Sequence, residues 1–197
     1  MEIEQFTEHD IPEAVRLTVE AWGTALADWD KDVARVVCEY SVRDEYLNKN
    51  LALKITDQGA MKGFIFAALP GDENDVDAWL QQQAAAFSKA EDLDTLQMVK
   101  DASRRNEDLV LKNMGANDAM LTFFLSSQKG CGKQLLSAMN ERLKSLGCKN
   151  SFLWTDITCN HQYYPKHGFE LVDKMEYPFD EIDDAPFVVY VYKKPLN

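Results

Sequence analysis

Little in this chain points to metal or to oxidised thiols. Its 197 residues carry only three histidines, and His161 and His167 alone lie near each other. Of its four cysteines, Cys38, Cys131, Cys148 and Cys159, none forms a C-x-x-C pair. Thiols so scattered argue for a reducing compartment and against a structural zinc site, and no metal is expected. No apolar run approaches the roughly 20 residues a membrane helix needs. The acidic start Met1-Glu2-Ile3-Glu4 lacks the basic and apolar regions of a signal peptide. A cytoplasmic chain with no membrane contact is the expectation. Basic charge is also scarce: 21 Lys and Arg face 33 Asp and Glu, for a net charge of −12. Nucleic acid is therefore not an expected partner, whereas a cationic small molecule or a basic peptide is.

What is present is ordinary for a globular chain, with 46% hydrophobic and 27% charged residues. The length suits one domain, residues 1–197, carrying an insertion. Residues 1–6 alternate as an opening strand. Asp10 is positioned to N-cap a helix running to Trp22, with Pro12 in its first turn, and Gly23 breaks it. A second helix is predicted from Lys31 to Leu47. Trp22 and Trp29 bracket the link and read as core or rim packing. Residues 51–56 and 61–69 read as strands joined by the turn Asp57-Gln58-Gly59-Ala60.

From about 70 to 118 the strand signal disappears. Two or three helices are expected there, ending at Gly115. Residues 72–118 carry 11 acidic and 5 basic side chains, half of the excess negative charge. The segment reads as a solvated structural insert, with a cap or a homodimer contact as the alternative. Beyond it, Met120 to Leu125 is an apolar strand, 150–156 another, and 169–177 and 187–192 the last two. A short helix is expected over Cys159 to Tyr164, stopped by Pro165-Lys166-His167-Gly168. The loop Pro178 to Pro186 holds Asp180, Glu181, Asp183 and Asp184, a candidate contact for a cationic amine.

Chemistry gathers at Ser126-Ser127-Gln128-Lys129-Gly130-Cys131-Gly132-Lys133. This stretch lies between a strand and a segment with helical periodicity at Leu135, Leu136, Met139, Leu143 and Leu146. A G-x-G turn lets backbone approach a ligand closely. The helix start beyond it offers unpaired N–H groups and the positive dipole end, a combination that suits a phosphate or pyrophosphate. A plain strand-to-helix turn needing glycine is the competing reading. The stretch is not a nucleotide P-loop, because Ser127 stands at the first glycine position and Gln134 follows Lys133.

A second motif follows downstream, Asn160-His161-Gln162-Tyr163-Tyr164-Pro165-Lys166-His167-Gly168-Phe169. Together the element order and the two motifs resemble the GNAT superfamily of acyl-CoA-dependent N-acyltransferases. The first is similar to that family's Q/R-x-x-G-x-G/A loop, the second to its N…F-Y-x-K-x-G-F segment. The resemblance covers the chain except about 70–118. It departs at Ser127, where the family has Gln or Arg, and Gln128 stands one residue late.

The resemblance implies an α/β (α+β) fold with a mixed, mostly antiparallel central sheet flanked by helices and a helical insertion. It also implies an N-acetyltransferase with acetyl-CoA as acyl donor and a small-molecule or peptide amine as acceptor; a non-catalytic acyl-CoA-binding sensor of the same fold is the alternative. The pyrophosphate would then lie on Gln128, Lys129, Gly130, Cys131, Gly132 and Lys133, and the pantetheine arm on backbone near Phe124 and Leu125. Asn160 would contact the arm. Tyr164 would act as the acid toward the leaving thiolate, and Asp156 would orient or deprotonate the amine. Cys131 and Cys159, with no paired base in view, read as packing residues.

Overall fold

The structure, a computed structural model, describes residues 1–182 and 185–196, with side chains described outside 178–185. Seven strands form one sheet in the order β1-β2-β3-β4-β5-β7-β6. They are β1 (Glu2–Gln5), β2 (Ala52–Asp57), β3 (Ala60–Ala68), β4 (Asp118–Ser126), β5 (Asn150–Asp156), β6 (Glu170–Ile182) and β7 (Ala185–Pro195). Every pairing is antiparallel except β4 with β5. The fold is thus the mixed, mostly antiparallel α/β arrangement expected.

Helices cover both faces. On one lie α1 (Ile11–Trp22) and α2 (Lys31–Asp44), which bury Phe6, Phe64, Phe66 and Leu125. The C-terminal half of α4 (Ala90–Leu111) covers the same face further along, where Leu109 and Val110 meet Met120, Phe152, Val189 and Val191. On the other face α5 (Cys131–Ser145) buries Leu135, Leu136, Met139 and Leu143 against Ile65, Leu121 and Leu153. Strands covered on both sides are apolar without alternation, as β3 is.

The segment between β3 and β4 forms two helices, α3 (Val76–Ala84) and α4. Val76, Leu80 and Leu96 pack on Val33, Val36, Val37 and Tyr40, so α2 is held between the sheet and the insert. Trp29 and Trp79 flank that cluster, and Trp22 stacks on Phe123 at 5.9 Å. Among the described residues no helix is long and apolar enough to cross a membrane.

Several element ends differ from the sequence reading, each for a local reason. Asp10 makes no side-chain cap for α1. Its carboxylate instead accepts from Thr7 N–H and Lys54 Nζ, at 2.8 and 2.7 Å. Helix α2 stops at Asp44, because Asn74 Nδ2 takes the carbonyls of Arg43 and Asp44, both at 2.9 Å. Helix α4 ends at Leu111, before Gly115, whose N–H donates to Asp118. In place of a helix at 159–164 there are two 3-10 turns, His161–Tyr163 and Pro165–His167. Pro165 lacks the N–H a continuing helix would need. Strands β6 and β7 run on through most of the expected acidic loop; the side chains of Asp180, Glu181, Asp183 and Asp184 lie outside those described.

Candidate active site

Strands β4 and β5 pair only from Asp118↔Asn150 to Met120↔Phe152. Beyond that they part, although β4 continues to Ser126 and β5 to Asp156. The β4 edge from Leu121 onward therefore has no strand partner on its β5 side among the described residues, and its backbone groups are available to a guest. A bulge sits where the parting begins. Ala67 pairs Leu121 and Phe66 pairs Phe123, leaving Thr122 as the extra residue. Bulges of this kind re-aim strands beside sites. Thr122 Oγ1 donates to the Glu45 carbonyl at 2.7 Å, tying the bulge to the end of α2.

Strand β4 runs directly into the glycine turn. Ser127 is fastened to β3, its N–H and hydroxyl both donating to the Lys62 carbonyl, at 2.9 and 3.0 Å. Gly130 adopts φ 91°, a left-handed conformation that favours glycine, and N-caps α5. Gly132 is buried at the first turn; a Cβ there would meet Phe124 Cζ at 3.2 Å. The Cys131 N–H is used by the Gln128 carbonyl at 3.2 Å. The N–H groups of Gln128, Lys129, Gly130, Gly132 and Lys133 have no acceptor among the described residues. Those donors, the dipole of a 15-residue helix and the exposed Lys129 and Lys133 make an anion cradle. One carboxylate stands beside it. Asp57 accepts from Gln128 Nε2 at 3.3 Å and lies 3.8 Å from the chain's N-terminal ammonium. Gln128 thus turns its side chain toward Asp57, and Ser127 toward β3. Neither Asp57 nor Lys62 stood out in the sequence, because only strand pairing brings them here.

The 3-10 turns after β5 bring the second motif against the same strands. Tyr164 packs edge-on to Phe169 at 5.5 Å and to Tyr163 at 5.6 Å. Its hydroxyl has no hydrogen-bond partner among the described residues, and burial, reinforced by Cys159, holds its pKa above the ordinary phenol value. Tyr163 stacks on His167 at 3.8 Å and leans on Phe124 at 6.0 Å, so it lines the β4 side of the gap as packing. Asn160 is exposed with its amide unengaged among the described residues. Asp156 closes a turn, accepting the Thr158 N–H at 2.8 Å and its hydroxyl at 2.5 Å.

The thiols are poor nucleophiles here. Cys131 is fully buried, and burial raises its pKa, with Asp57 adding to the effect. Cys159 is exposed as a residue, and partial desolvation and the neighbouring Asp156 carboxylate raise its pKa. A thiol held protonated does not attack a thioester. A surface hollow lined by Asp28, Trp29, Asp30, Glu91 and Asp92 shares no residue with this site.

The arrangement, a bulged strand parting from its parallel neighbour above a helix-capping glycine turn, defines a class of fold. The chain matches no family model and no curated protein at a significant level. Solved structures do match it. One acetyltransferase crystal structure superposes with a TM-score of 0.58 at 15% identity, covering 100% of both chains. Aminoglycoside 6′-acetyltransferase type Ii gives 0.57 at 15% identity, over 100% of this chain and 98% of that one. The PaiA N-acetyltransferase from Thermoplasma acidophilum, in complex with coenzyme A, gives 0.56 at 15%, over 98% of each chain. The fold is that of the GNAT acetyltransferases. At these identities the likeness is one of fold, and chemistry is argued from the site.

Proposed function

We propose that this chain is an N-acetyltransferase that moves an acetyl group from acetyl-CoA to a primary amine by direct attack. The observation that carries the reading is the gap between β4 and β5 opening onto the free N–H groups of 128–130, 132 and 133. Such a gap admits an extended arm along the β4 edge near Phe124 and Leu125, and the cradle takes a pyrophosphate. Acetyl-CoA fits both, supplying a thioester carbonyl as electrophile. The amine nitrogen bonds to that carbon, the carbon–sulfur bond breaks, and the proton lost by nitrogen ends on sulfur. The products are an N-acetyl amine and the CoA thiol.

Tyr164 serves the sulfur. A thiol pKa of about 8.5 lies below that of an ordinary phenol, near 10. Burial lifts Tyr164 further, so complete proton transfer to the thiolate runs uphill. The hydroxyl instead acts as a fixed hydrogen-bond donor that stabilises charge as it builds on sulfur. Asn160 holds the arm. Asp156 has one oxygen committed to Thr158 and orients the incoming amine with the other.

That commitment is also what favours the rival reading, a non-catalytic acyl-CoA-binding module. Turnover separates the two, and Tyr164→Phe then tests the residue. On the enzyme reading kcat falls roughly 10²-fold while CoA affinity stays nearly constant. A variant with unchanged turnover removes Tyr164 from the chemistry.

A further inference from the structure

At the C-terminal end of α2, two neighbouring carboxylates meet a third from a distant helix, out of solvent. Asp44 and Glu45 end α2, and Glu107 comes from the last turns of α4. Their exposures are 1%, 5% and 8%. One oxygen from each lies within 4.8 Å of the other two. Arg104 engages one side of the group, donating to Asp44 Oδ1 and Glu107 Oε2, both at 3.1 Å. The far oxygens, Asp44 Oδ2 and Glu107 Oε1, are buried and without partners. Glu45 is the decisive member. Its carboxylate is buried, and Oε2 has no partner. The Tyr40 hydroxyl is buried beside the Asp44 carboxylate.

A buried carboxylate with nothing to bind is costly. The neighbouring Asp77 adds a fourth negative charge, and among the described residues Arg104 and Lys100 oppose it, so there the ionised group is two charges short of neutrality. Oxygens 2.3–2.6 Å from one calcium ion lie at most about 5 Å apart, which the 4.8 Å spacing satisfies. All the offered atoms are hard oxygens, the preference of calcium and manganese rather than zinc or copper.

We propose that Asp44, Glu45 and Glu107 form a buried site for one hard divalent cation, of the calcium or manganese class, that fastens α2 to α4. The Glu45 carbonyl holds Thr122, so the same ion would stiffen the anchor of the β4 bulge.

The test uses the full chain, dialysed against chelator and then titrated with calcium, manganese or magnesium chloride at mildly alkaline pH, read by calorimetry and thermal melting. One equivalent of calcium or manganese should bind, and Tm should rise by roughly 5–10 °C at a hundredfold excess over Kd. Glu45→Gln and Glu107→Gln should both abolish the response, and Glu45→Gln should melt no lower than wild type in chelator, since it removes a buried carboxylate with an unpartnered oxygen. Asp77→Asn should retain the response. No heat and no Tm shift at millimolar calcium and manganese overturns the proposal. So does a full response that persists in both Gln variants.

Discussion

The turn that would hold pyrophosphate rests on two glycines with different physical duties. Gly130 needs its left-handed backbone and has open space where a Cβ would go. Gly132 has an ordinary backbone but no room, with Phe124 Cζ 3.2 Å from a Cβ. Gly130→Ala should therefore cost about 1–2 kcal/mol in denaturant melts through backbone strain. It should also weaken CoA binding, because the strained turn re-aims its N–H groups. Gly130→Asn should recover part of both, since asparagine tolerates the left-handed region best among non-glycine residues. Alanine at 132 should spare stability more than affinity, as Phe124 can yield. These residues were legible in the sequence because glycine spacing and the Tyr-Pro-Lys-His-Gly run are local patterns. Asp57, Lys62, Thr122 and Glu45 were not, because each matters through a partner 65 to 77 residues away or across a strand pair.

Among the elements, the decisive feature is where β4 and β5 stop pairing. Periodicity placed both strands, and Asn150–Asp156 agrees residue for residue. It could not place the parting or the bulge, since register is set by side chains on neighbouring strands. The opposite flank of β4 leaves as little freedom. A Cβ at Gly63 would come within 2.5 Å of the Leu125 carbonyl, a backbone atom that cannot swing aside. Gly63→Ala should therefore destabilise by about 3 kcal/mol and disturb the strand that lines the gap. Thr122→Val keeps the shape but leaves the Glu45 carbonyl without its donor; it should cost about 1–3 kcal/mol. Equal stability of that variant and wild type would show the bulge is not anchored through α2. The helix starts and stops missed in the sequence were decided by distant side chains such as Asn74, which no window of neighbouring residues contains.

For the whole molecule, the insert between β3 and β4 has its own cluster on α2 and completes the sheet's cover over β5 and β7. Its helices were legible from composition, whereas the acidic group it builds with α2 was not. That group sets a pH dependence. Asp44, Glu45 and Glu107 have folded pKa values above their unfolded ones, so the folded chain binds more protons. Their stability contribution is full below the unfolded carboxylate range, near 4, and is lost as pH rises through the raised values. In chelator, stability by urea titration should fall as pH rises through the window above the ordinary carboxylate range. Asp10, lowered through Lys54 and Thr7, acts oppositely but only below that window. A stability that climbs across the window contradicts the burial argument.

The account turns on group transfer at the gap between β4 and β5. Thiol release from acetyl-CoA, followed with a panel of small amines and basic peptides and matched by mass to acetylated product, tests it most directly. Amine-dependent release with an equal yield of N-acetyl product is the expected result. A chain that binds CoA but acetylates no amine above the rate without protein would contradict it.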